Sequence, residues 1–407
     1  MSERNRREFL AGAASLLAAA ALPGASLLAG QTPRFDLVIT GGRVIDPANG
    51  IDGIRDVGIL GTRIGRVAER IPPDQARQSL NAAGKIVTPG LIDSHVHCYE
   101  GVANVGIDAD QIGLARGVTG VIDAGSAGAT TFPGFRQYVA SRARTRVYAL
   151  INISGPGMTI GNETADLAFL DPDACARAIA ANRDVIVGVK VRMLAGIPAG
   201  QDVEVMRRAR AAADQAGVPI VVHIGGQTSP LTRIVEQLRP GDVITHAFRR
   251  DGSILDGAGK PYPEVMEAVA RGVNLDIGHG RGNLDFDVAE RALAQGILPT
   301  TISSDVHRGN SLGPVFDLPT TLSKFMEMGM TLPQVIERAT SAPARIYPLG
   351  LELGTLTEGA AADVALFEVT EGRYEFTDSG GKRRAGTQRL VPYAALRDGR
   401  PFGSINP

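Results

Sequence analysis

Two patterns of apolar and polar positions alternate along the chain. Near both ends, short stretches such as "FDLVITGGRVID" and "GTLTEGAAADVALFEV" alternate apolar with polar residues and are separated by glycine-rich turns. Such alternation is typical of strands that bury one face. We therefore predict one small β-sandwich domain formed by both chain ends, residues 34–87 and 347–407.

The middle of the chain, residues 88–346, consists of eight apolar runs, each followed by a helical stretch rich in Ala, Arg and Glu. The runs are "IVTPGLIDSHVH", "GVTGVIDAG", "RVYALINISG", "VIVGVKVRM", "PIVVHIGG", "DVITHAF", "GVNLDIGHG" and "ILPTTISSDVH". This alternation predicts an α/β fold, a (β/α)8 TIM-type barrel. A doubly wound open sheet is the structural alternative, but no Gly-x-Gly-x-x-Gly motif opens a helix at the first turn.

The first thirty residues have the features of a processing signal. "RNRREFLAGAASLLAAAALPGASLLAG" begins with basic residues, and Arg6 and Arg7 precede Phe9 and Leu10. The pattern predicts a twin-arginine-type export signal over residues 1–30 and a periplasmic protein. An ordinary secretory signal or a membrane anchor is the alternative, although the apolar run is short for a bilayer span. No later run is long enough, so we expect no membrane association after signal removal.

Overall charge and cysteine content narrow the classes of partner. The net charge of -1 and the pI of about 6.6 provide no basic field for nucleic acid. We expect a small-molecule substrate, with homo-oligomerisation left open. The spacing of Cys98 and Cys175 does not show whether they pair, and two free thiols are the simpler expectation.

Histidines follow the ends of the predicted barrel strands. All six lie there: His95, His97, His223, His246, His279 and His307. Active sites of such barrels form at the carboxyl ends of the strands. His95 and His97 share one strand face and can bind one metal ion, while His223 and His246 each end a further strand. Asp305 ends the last strand and is expected beside them as a ligand that can move a proton, or else as a helix cap or surface carboxylate.

Lys190 lies inside the apolar run "DVIVGVKVRM" and shares the inward face with Arg192. A buried lysine must find a partner, lose its proton or be modified. It could form a salt bridge with Asp123 or Asp276. Alternatively, a carbamate on Lys190 would provide an anion able to bridge two metal ions.

Together these residues resemble a known family. "PGLIDSHVH", Lys190, His223, His246, Asp305 and the returning "GTLTEGAAADVALF" resemble the amidohydrolase superfamily. Within it, "DSHVHCYEG", "GVKVRM", "DIGHGRGNLDF" and "SSDVHRGN" look like the bacterial amidohydrolase/deacetylase group, which is D-aminoacylase-like and dihydroorotase-like.

The resemblance implies two divalent metal ions, most simply Zn2+, bridged by N6-carboxylated Lys190. One ion would be held by His95, His97 and Asp305. The other would be held by His223 and His246.

The resemblance also implies an enzyme that hydrolyses carbon–nitrogen bonds other than peptide bonds. Its expected substrates are N-acetyl-(D-)amino acids or acetylated 2-hydroxy acids, attacked by hydroxide shared between the metals. Asp305 would pass a proton to the leaving group. Arg192 would stabilise the oxyanion or hold a substrate carboxylate, unless it only pairs with a barrel carboxylate. His279 would bind substrate or make a supporting hydrogen bond.

The residues after His97 depart from one branch of the family. Dihydroorotases typically have a leucine and a substrate-binding arginine there, whereas this chain has Cys98 and Tyr99. Hydrolysis of cyclic amides, as in hydantoinases and dihydroorotases, is therefore the alternative function. A catalytically inactive scaffold of the same fold is less favoured, because every ligand position is retained.

Overall fold

The structure, a computed structural model, describes residues 34–350 and 352–402. The predicted export signal, residues 1–30, lies outside the described residues. Within these two ranges, none of the helices combines the length and apolar character needed to cross a membrane.

The two ends of the chain form one mostly antiparallel sheet. The first end contributes β1 (Phe35–Asp46), β2 (Ile51–Leu60), β3 (Arg63–Ala68), β4 (Ala76–Asn81) and β5 (Ile86–Pro89). The other end contributes β13 (Val364–Thr377), β14 (Arg383–Arg397) and β15 (Arg400–Pro401). The strand order is β15-β14-β13-β5-β1-β2-β3, with β4 paired to β1. Val87 of β5 lies opposite Leu366 of β13, and both enter a core separate from that of the barrel.

Seven parallel strands in sequential order form the barrel wall. They are β6 (Leu91–Val96), β7 (Val118–Gly128), β8 (Arg146–Asn152), β9 (Ile186–Arg192), β10 (Ile220–His223), β11 (Val243–Thr245) and β12 (Asn274–Asp276). The eighth apolar run closes the wall. Thr301 makes a parallel bridge to Asp276 at one edge, and Val306 makes one to Val96 at the other. The predicted (β/α)8 barrel with a sheet domain from both ends is confirmed.

Helices cover the outside of the barrel. They are α1 (Ala109–Ile112), α2 (Phe132–Phe135), α3 (Pro172–Ala181), α4 (Asp202–Ala216), α5 (Leu231–Val235), α6 (Pro263–Ala270), α7 (Phe286–Ala294), α8 (Leu318–Glu327), α9 (Leu332–Glu337) and α10 (Ser341–Ile346). Helix α4 buries Val205, Ala209 and Ala213 on one face. It ends at Gly217, whose φ of 66° is accessible to glycine without strain, as the sequence predicts.

Two local details differ from the apolar pattern. The first apolar run divides at Gly90, so β5 joins the end sheet and β6 joins the barrel. A Cβ at Gly90 would lie 2.1 Å from Thr119 Oγ1, which explains why the turn requires glycine. Strict alternation from Lys190 would turn Val187 toward the helices, but Val187 packs in one core with Leu150, because a register shift between β8 and β9 breaks the alternation there.

Candidate metal centre

A cavity of about 250 Å³ opens at the carboxyl ends of the barrel strands. Seven of its lining residues are sequence-predicted site residues: His95, His97, Lys190, Arg192, His223, His246 and Asp305. Val105, Met158, Arg281, Gly282, Asn283 and His307 complete its wall. The parallel strands bring together side chains that are far apart along the chain.

Hydrogen bonds determine which nitrogen of His95 faces the cavity. Its Nδ1 lies 3.0 Å from Thr245 Oγ1, and that hydroxyl donates its proton to Asp276 Oδ2 at 2.7 Å. Thr245 therefore accepts from Nδ1–H, because its single proton is already donated. The lone pair of His95 is therefore on Nε2, the nitrogen that lies 3.2 Å from Lys190 Nζ. Such an outer hydrogen bond is the arrangement that orients a metal-binding imidazole.

The other three imidazoles are oriented by neighbouring polar groups. His97 Nδ1 lies 3.0 Å from Ser126 Oγ, and His246 Nδ1 lies 2.7 Å from the carbonyl oxygen of Gly278. A carbonyl only accepts, so His246 carries its proton on Nδ1 and directs the lone pair of Nε2 away from Gly278. His223 Nδ1 lies 2.9 Å from that Nε2 atom. Two ring nitrogens this close can bind a single cation.

Asp305 lies beside the imidazoles of His95 and His97. Its Oδ1 is 3.2 Å from His97 Nε2 and 3.7 Å from His95 Nε2. This oxygen is buried and receives no hydrogen bond from the residues that the structure describes. One nitrogen each from His95 and His246 and one oxygen of Asp305 all lie within 4.8 Å of one another. A cation would satisfy the otherwise orphaned oxygen, so these donors fit a metal ion.

Backbone strain occurs at two residues of this group. His246 has a φ of 68° and Asp305 a φ of 49°, in the left-handed region that non-glycine residues rarely adopt. Each such residue costs about 1–3 kcal/mol and persists only where surrounding contacts enforce it. The strain turns both side chains toward the cavity immediately beyond their strands.

Burial sets the charge of the candidate ligands. It lowers the pKa of His95 to about 4 and the pKa values of His223 and His246 well below their usual range. These imidazoles are therefore neutral near pH 7, the form that binds metal. Burial also raises the pKa of Asp305, but the imidazoles of His95 and His97 outweigh that effect and keep it low. Asp305 is thus an ionised ligand.

Lys190 has no carboxylate partner. Its side chain is fully buried, and its Nζ makes one polar contact, 3.2 Å from His95 Nε2. In the described part of the chain, no carboxylate oxygen lies within salt-bridge distance of Nζ, so the salt bridge to Asp123 or Asp276 is not formed. Burial lowers the pKa of Lys190 to about 7, which makes the neutral amine abundant at physiological pH.

Asp123 and Asp276, the alternative salt-bridge partners of Lys190, form hydrogen bonds with other groups. Asp123 accepts hydrogen bonds from the backbone amides of Cys98 and Ser126, each at 2.7 Å. Asp276 accepts from three hydroxyls, those of Thr245, Thr301 and Ser303. Neither carboxylate therefore forms a direct ion pair with Lys190, although both contribute an attraction that partly opposes the effect of burial.

Arg192 lines the cavity and has a carboxylate partner. Its Nη1 donates to Glu163 Oε1 at 3.0 Å, and Glu163 is almost fully buried. Arg192 is therefore paired with a carboxylate, as the structural alternative requires, but the partner comes from an irregular segment and not from a barrel strand. Its side chain remains part of the cavity wall.

His279 lies away from the cavity wall. It is fully buried, and its Nε2 lies 2.6 Å from Lys324 Nζ. The structure therefore matches the supporting hydrogen bond considered for His279 rather than contact with substrate. His307 lines the cavity, with its ring centroid 6.3 Å from that of His97.

Several residues at this site were not predicted from the sequence. They are Thr245, Ser126, Glu163, Arg281 and Asn283. Thr245 directly precedes a candidate ligand and shares the inward face with His223, its register partner, so its role could have been inferred from strand pairing. Glu163 gives no such signal, because it lies in an irregular segment. Cys98 and Cys175 are both free and buried.

Comparison with known proteins identifies the family. Residues 86–386 match the amidohydrolase family. The chain belongs to the amidohydrolase family. This confirms the resemblance inferred from sequence and establishes a hydrolase acting on carbon–nitrogen bonds, in a family that generally uses divalent metal ions.

Several characterised amidohydrolases are similar over most of their length. A deacetylase of Agrobacterium fabrum is 35% identical over 323 residues, which are 78% of this chain and 79% of the relative. A deacetylase of Enterococcus faecalis is 34% identical, covering 90% of this chain and 99% of the relative. The crystal structure of an adenine deaminase has a TM-score of 0.85 at 34% identity, covering 91% of this chain and all of that one. The crystal structure of a dihydroorotase has a TM-score of 0.81 at 31% identity, covering 90% of this chain and 99% of that one.

Proposed function

We propose that this amidohydrolase removes the acetyl group from N-acetyl-(D-)amino acids or acetylated 2-hydroxy acids, with the help of two divalent cations, most simply Zn2+. The observation that carries the proposal is the convergence of neutral imidazoles, the ionised Asp305 and the unpaired Lys190 on one cavity. The two deacetylases that match most of the chain support the choice of acetyl substrates.

We assign the ligands by the donors that lie together. His95, His97 and Asp305 would hold one cation, and the close pair His223 and His246 would hold the other. Lys190, beside His95, would bridge the two cations as a carbamate.

Carbamate formation is chemically accessible at Lys190. The lone pair of the neutral amine attacks the carbon of CO2, one N–C bond forms, one C=O electron pair moves to oxygen, and an amine proton is released to water. The lowered pKa of Lys190 supplies the neutral amine that this step requires. The product is an anion, so Lys190 would no longer place a positive charge beside the proposed cations.

The chain's own groups would then handle the proton and the substrate. When bound, the two cations would lower the pKa of water and polarise the scissile carbonyl. Asp305, ionised and exposed to the cavity, would accept a proton from the attacking water and transfer it to the leaving amine or alcohol. Arg192, positioned by Glu163, would donate to the oxyanion or to a substrate carboxylate.

Cyclic-amide hydrolysis is the second candidate, because one similar solved structure is described as a dihydroorotase. The residues after His97 argue against it. Tyr99 packs against Phe135 and donates its hydroxyl proton to the carbonyl of Thr131, and Cys98 is buried. Neither offers a cationic group to the cavity.

The proposal is tested by screening the zinc-loaded protein for hydrolysis. The panel comprises N-acetyl-D- and N-acetyl-L-amino acids, acetylated 2-hydroxy acids, hydantoin, dihydroorotate and adenine. We expect acetate release from the acetylated compounds. Turnover of only the cyclic amides or of adenine would refute the proposal and assign that activity instead. If no compound is turned over and less than one zinc ion is bound per chain, the result would favour an inactive scaffold.

The bridging role of Lys190 has its own test. Lys190→Ala should lose bound zinc and activity, because the anionic bridge is removed. Wild-type protein incubated with 13C-labelled bicarbonate should show a carbamate carbon by NMR that the variant lacks. Retention of two zinc ions and normal turnover in the variant would refute the carbamate.

A further inference from the structure

A second arginine, Arg281, lies on the rim of the catalytic cavity. It belongs to the segment that follows β12, and Asn283 of the same segment also lines the cavity. Arg281 is exposed, and within residues 34–350 and 352–402 it has no hydrogen bond or ion pair through its side chain. His307 lines the same cavity, so the cationic side chain of Arg281 belongs to the wall that also holds the candidate ligands.

Arg281, unlike Arg192, has no carboxylate partner among the described residues. Arg192 already pairs with the buried Glu163 at 3.0 Å, so much of its attraction for an anion is used within the protein. Asp305, the acidic residue in the cavity wall, contacts the histidines and receives a hydrogen bond from Asn283 at 3.4 Å. Of the two arginines that line the cavity, Arg281 is therefore the one whose charge is not paired with a carboxylate of the described residues.

Contacts with the end sheet hold this segment in place. Ser379, in the turn between β13 and β14, accepts hydrogen bonds from the backbone amides of Asn283 and Leu284, each at 3.1 Å. Its hydroxyl also lies 3.1 Å from the carbonyl oxygen of Gly280. On the other side, Lys324 donates to His279, at 2.6 Å. The backbone on both sides of Arg281 is thus fixed before any ligand binds, which lowers the entropy cost of binding.

We propose that Arg281 is a specificity-determining residue that binds the carboxylate of the substrate at the cavity mouth. The inference rests on the proposed function, since it assumes that the acetyl group enters toward the histidines. A guanidinium forms paired hydrogen bonds with a carboxylate, and a substrate anion would find no competing partner on Arg281. The preferred substrates are then acetylated compounds that carry a free carboxylate close to the scissile bond.

The test compares two ligands that differ only in this charge. N-methylsulfonyl-D-alanine and its carboxamide have a sulfonyl group in place of acetyl, so neither can be deacetylated, and their binding to the zinc-loaded protein is measured by calorimetry. We expect the wild type to bind the acid about tenfold more tightly than the amide. Arg281→Ala should reduce that ratio to about twofold, and Arg281→Lys should give an intermediate ratio.

The control is Arg271→Ala, which removes the same charge from an exposed residue at the end of α6. It should keep the wild-type ratio. Equal binding of acid and amide by the wild type, or an unchanged ratio in Arg281→Ala, would overturn the proposal. Acetate release from N-acetyl-D-alanine is measured separately, so charge-dependent binding without turnover would reject the proposed function while supporting the role of Arg281.

Discussion

Replacing Thr245 with valine tests whether the hydrogen bond to His95 Nδ1 increases the affinity of the site for metal. Thr245 Oγ1 accepts from His95 Nδ1 at 3.0 Å and donates to Asp276 at 2.7 Å. Valine keeps the branched shape but removes the hydroxyl. Asp276 Oδ2 lies 3.6 Å from His95 Nδ1, too far to replace the lost acceptor. Loss of such a supporting hydrogen bond typically weakens metal binding about 10–100-fold.

Thr301→Val is the matched control for this prediction. Thr301 also donates a buried hydrogen bond to Asp276, at 2.6 Å, but it has no side-chain hydrogen bond to a histidine. Both variants should lower the free energy of unfolding of the metal-free protein by about 1.5–3 kcal/mol, because each removes a donor from a buried carboxylate. Thr245→Val should cost more than Thr301→Val, because it also leaves His95 Nδ1 without an acceptor. Only Thr245→Val should also weaken zinc binding.

Zinc affinity is measured by competition with a chromophoric chelator, and stability by urea unfolding. A factor of 10–100 in affinity corresponds to about 1.4–2.7 kcal/mol, well within the resolution of both assays. Equal loss of zinc affinity in the two variants would refute the reasoning, because the effect would then come from Asp276 rather than from the orientation of His95. Unchanged affinity in Thr245→Val would refute it as well.

Two further predictions concern a buried lysine and the proton-transferring carboxylate. Burial lowers the pKa of Lys324 to about 7, whereas an unfolded lysine titrates near 10.4. Between these two pH values the unfolded chain binds more protons than the folded one. The free energy of unfolding should therefore rise with pH by up to about 1.4 kcal/mol per pH unit. Lys324→Met should lack this part of the slope in urea unfolding at pH 7–10, and identical slopes would contradict the assignment. Asp305→Asn should keep the urea midpoint close to that of the wild type yet lower kcat about 100-fold or more, and an active variant would remove Asp305 from the proton path.

The barrel and its candidate ligands could be predicted from local properties of the chain. The apolar runs predict strands because alternation and burial follow from backbone geometry within a few residues. Parallel strands place their carboxyl ends at one face of the barrel. The sequence therefore predicts that four histidines lie together there: His95, His97, His223 and His246. Lys190 was expected to face inward for the same reason, and its position beside His95 agrees with this.

The partners of these side chains depended on the tertiary structure. Arg192 meets Glu163 from an irregular segment, and His279 meets Lys324 of α8. Gly280, beside Arg281, lies against Ser379, 99 residues later in the chain.

Beyond the end of a strand, no repeating backbone geometry fixes where a side chain points. Its position is determined by hydrogen bonds between segments that are distant in sequence and adjacent only in the folded barrel. The sequence by itself therefore determined which donors gather at the barrel mouth. Only the tertiary structure decided which of them are already paired, and it alone placed Arg281, which has no side-chain partner among the described residues, in the same cavity wall.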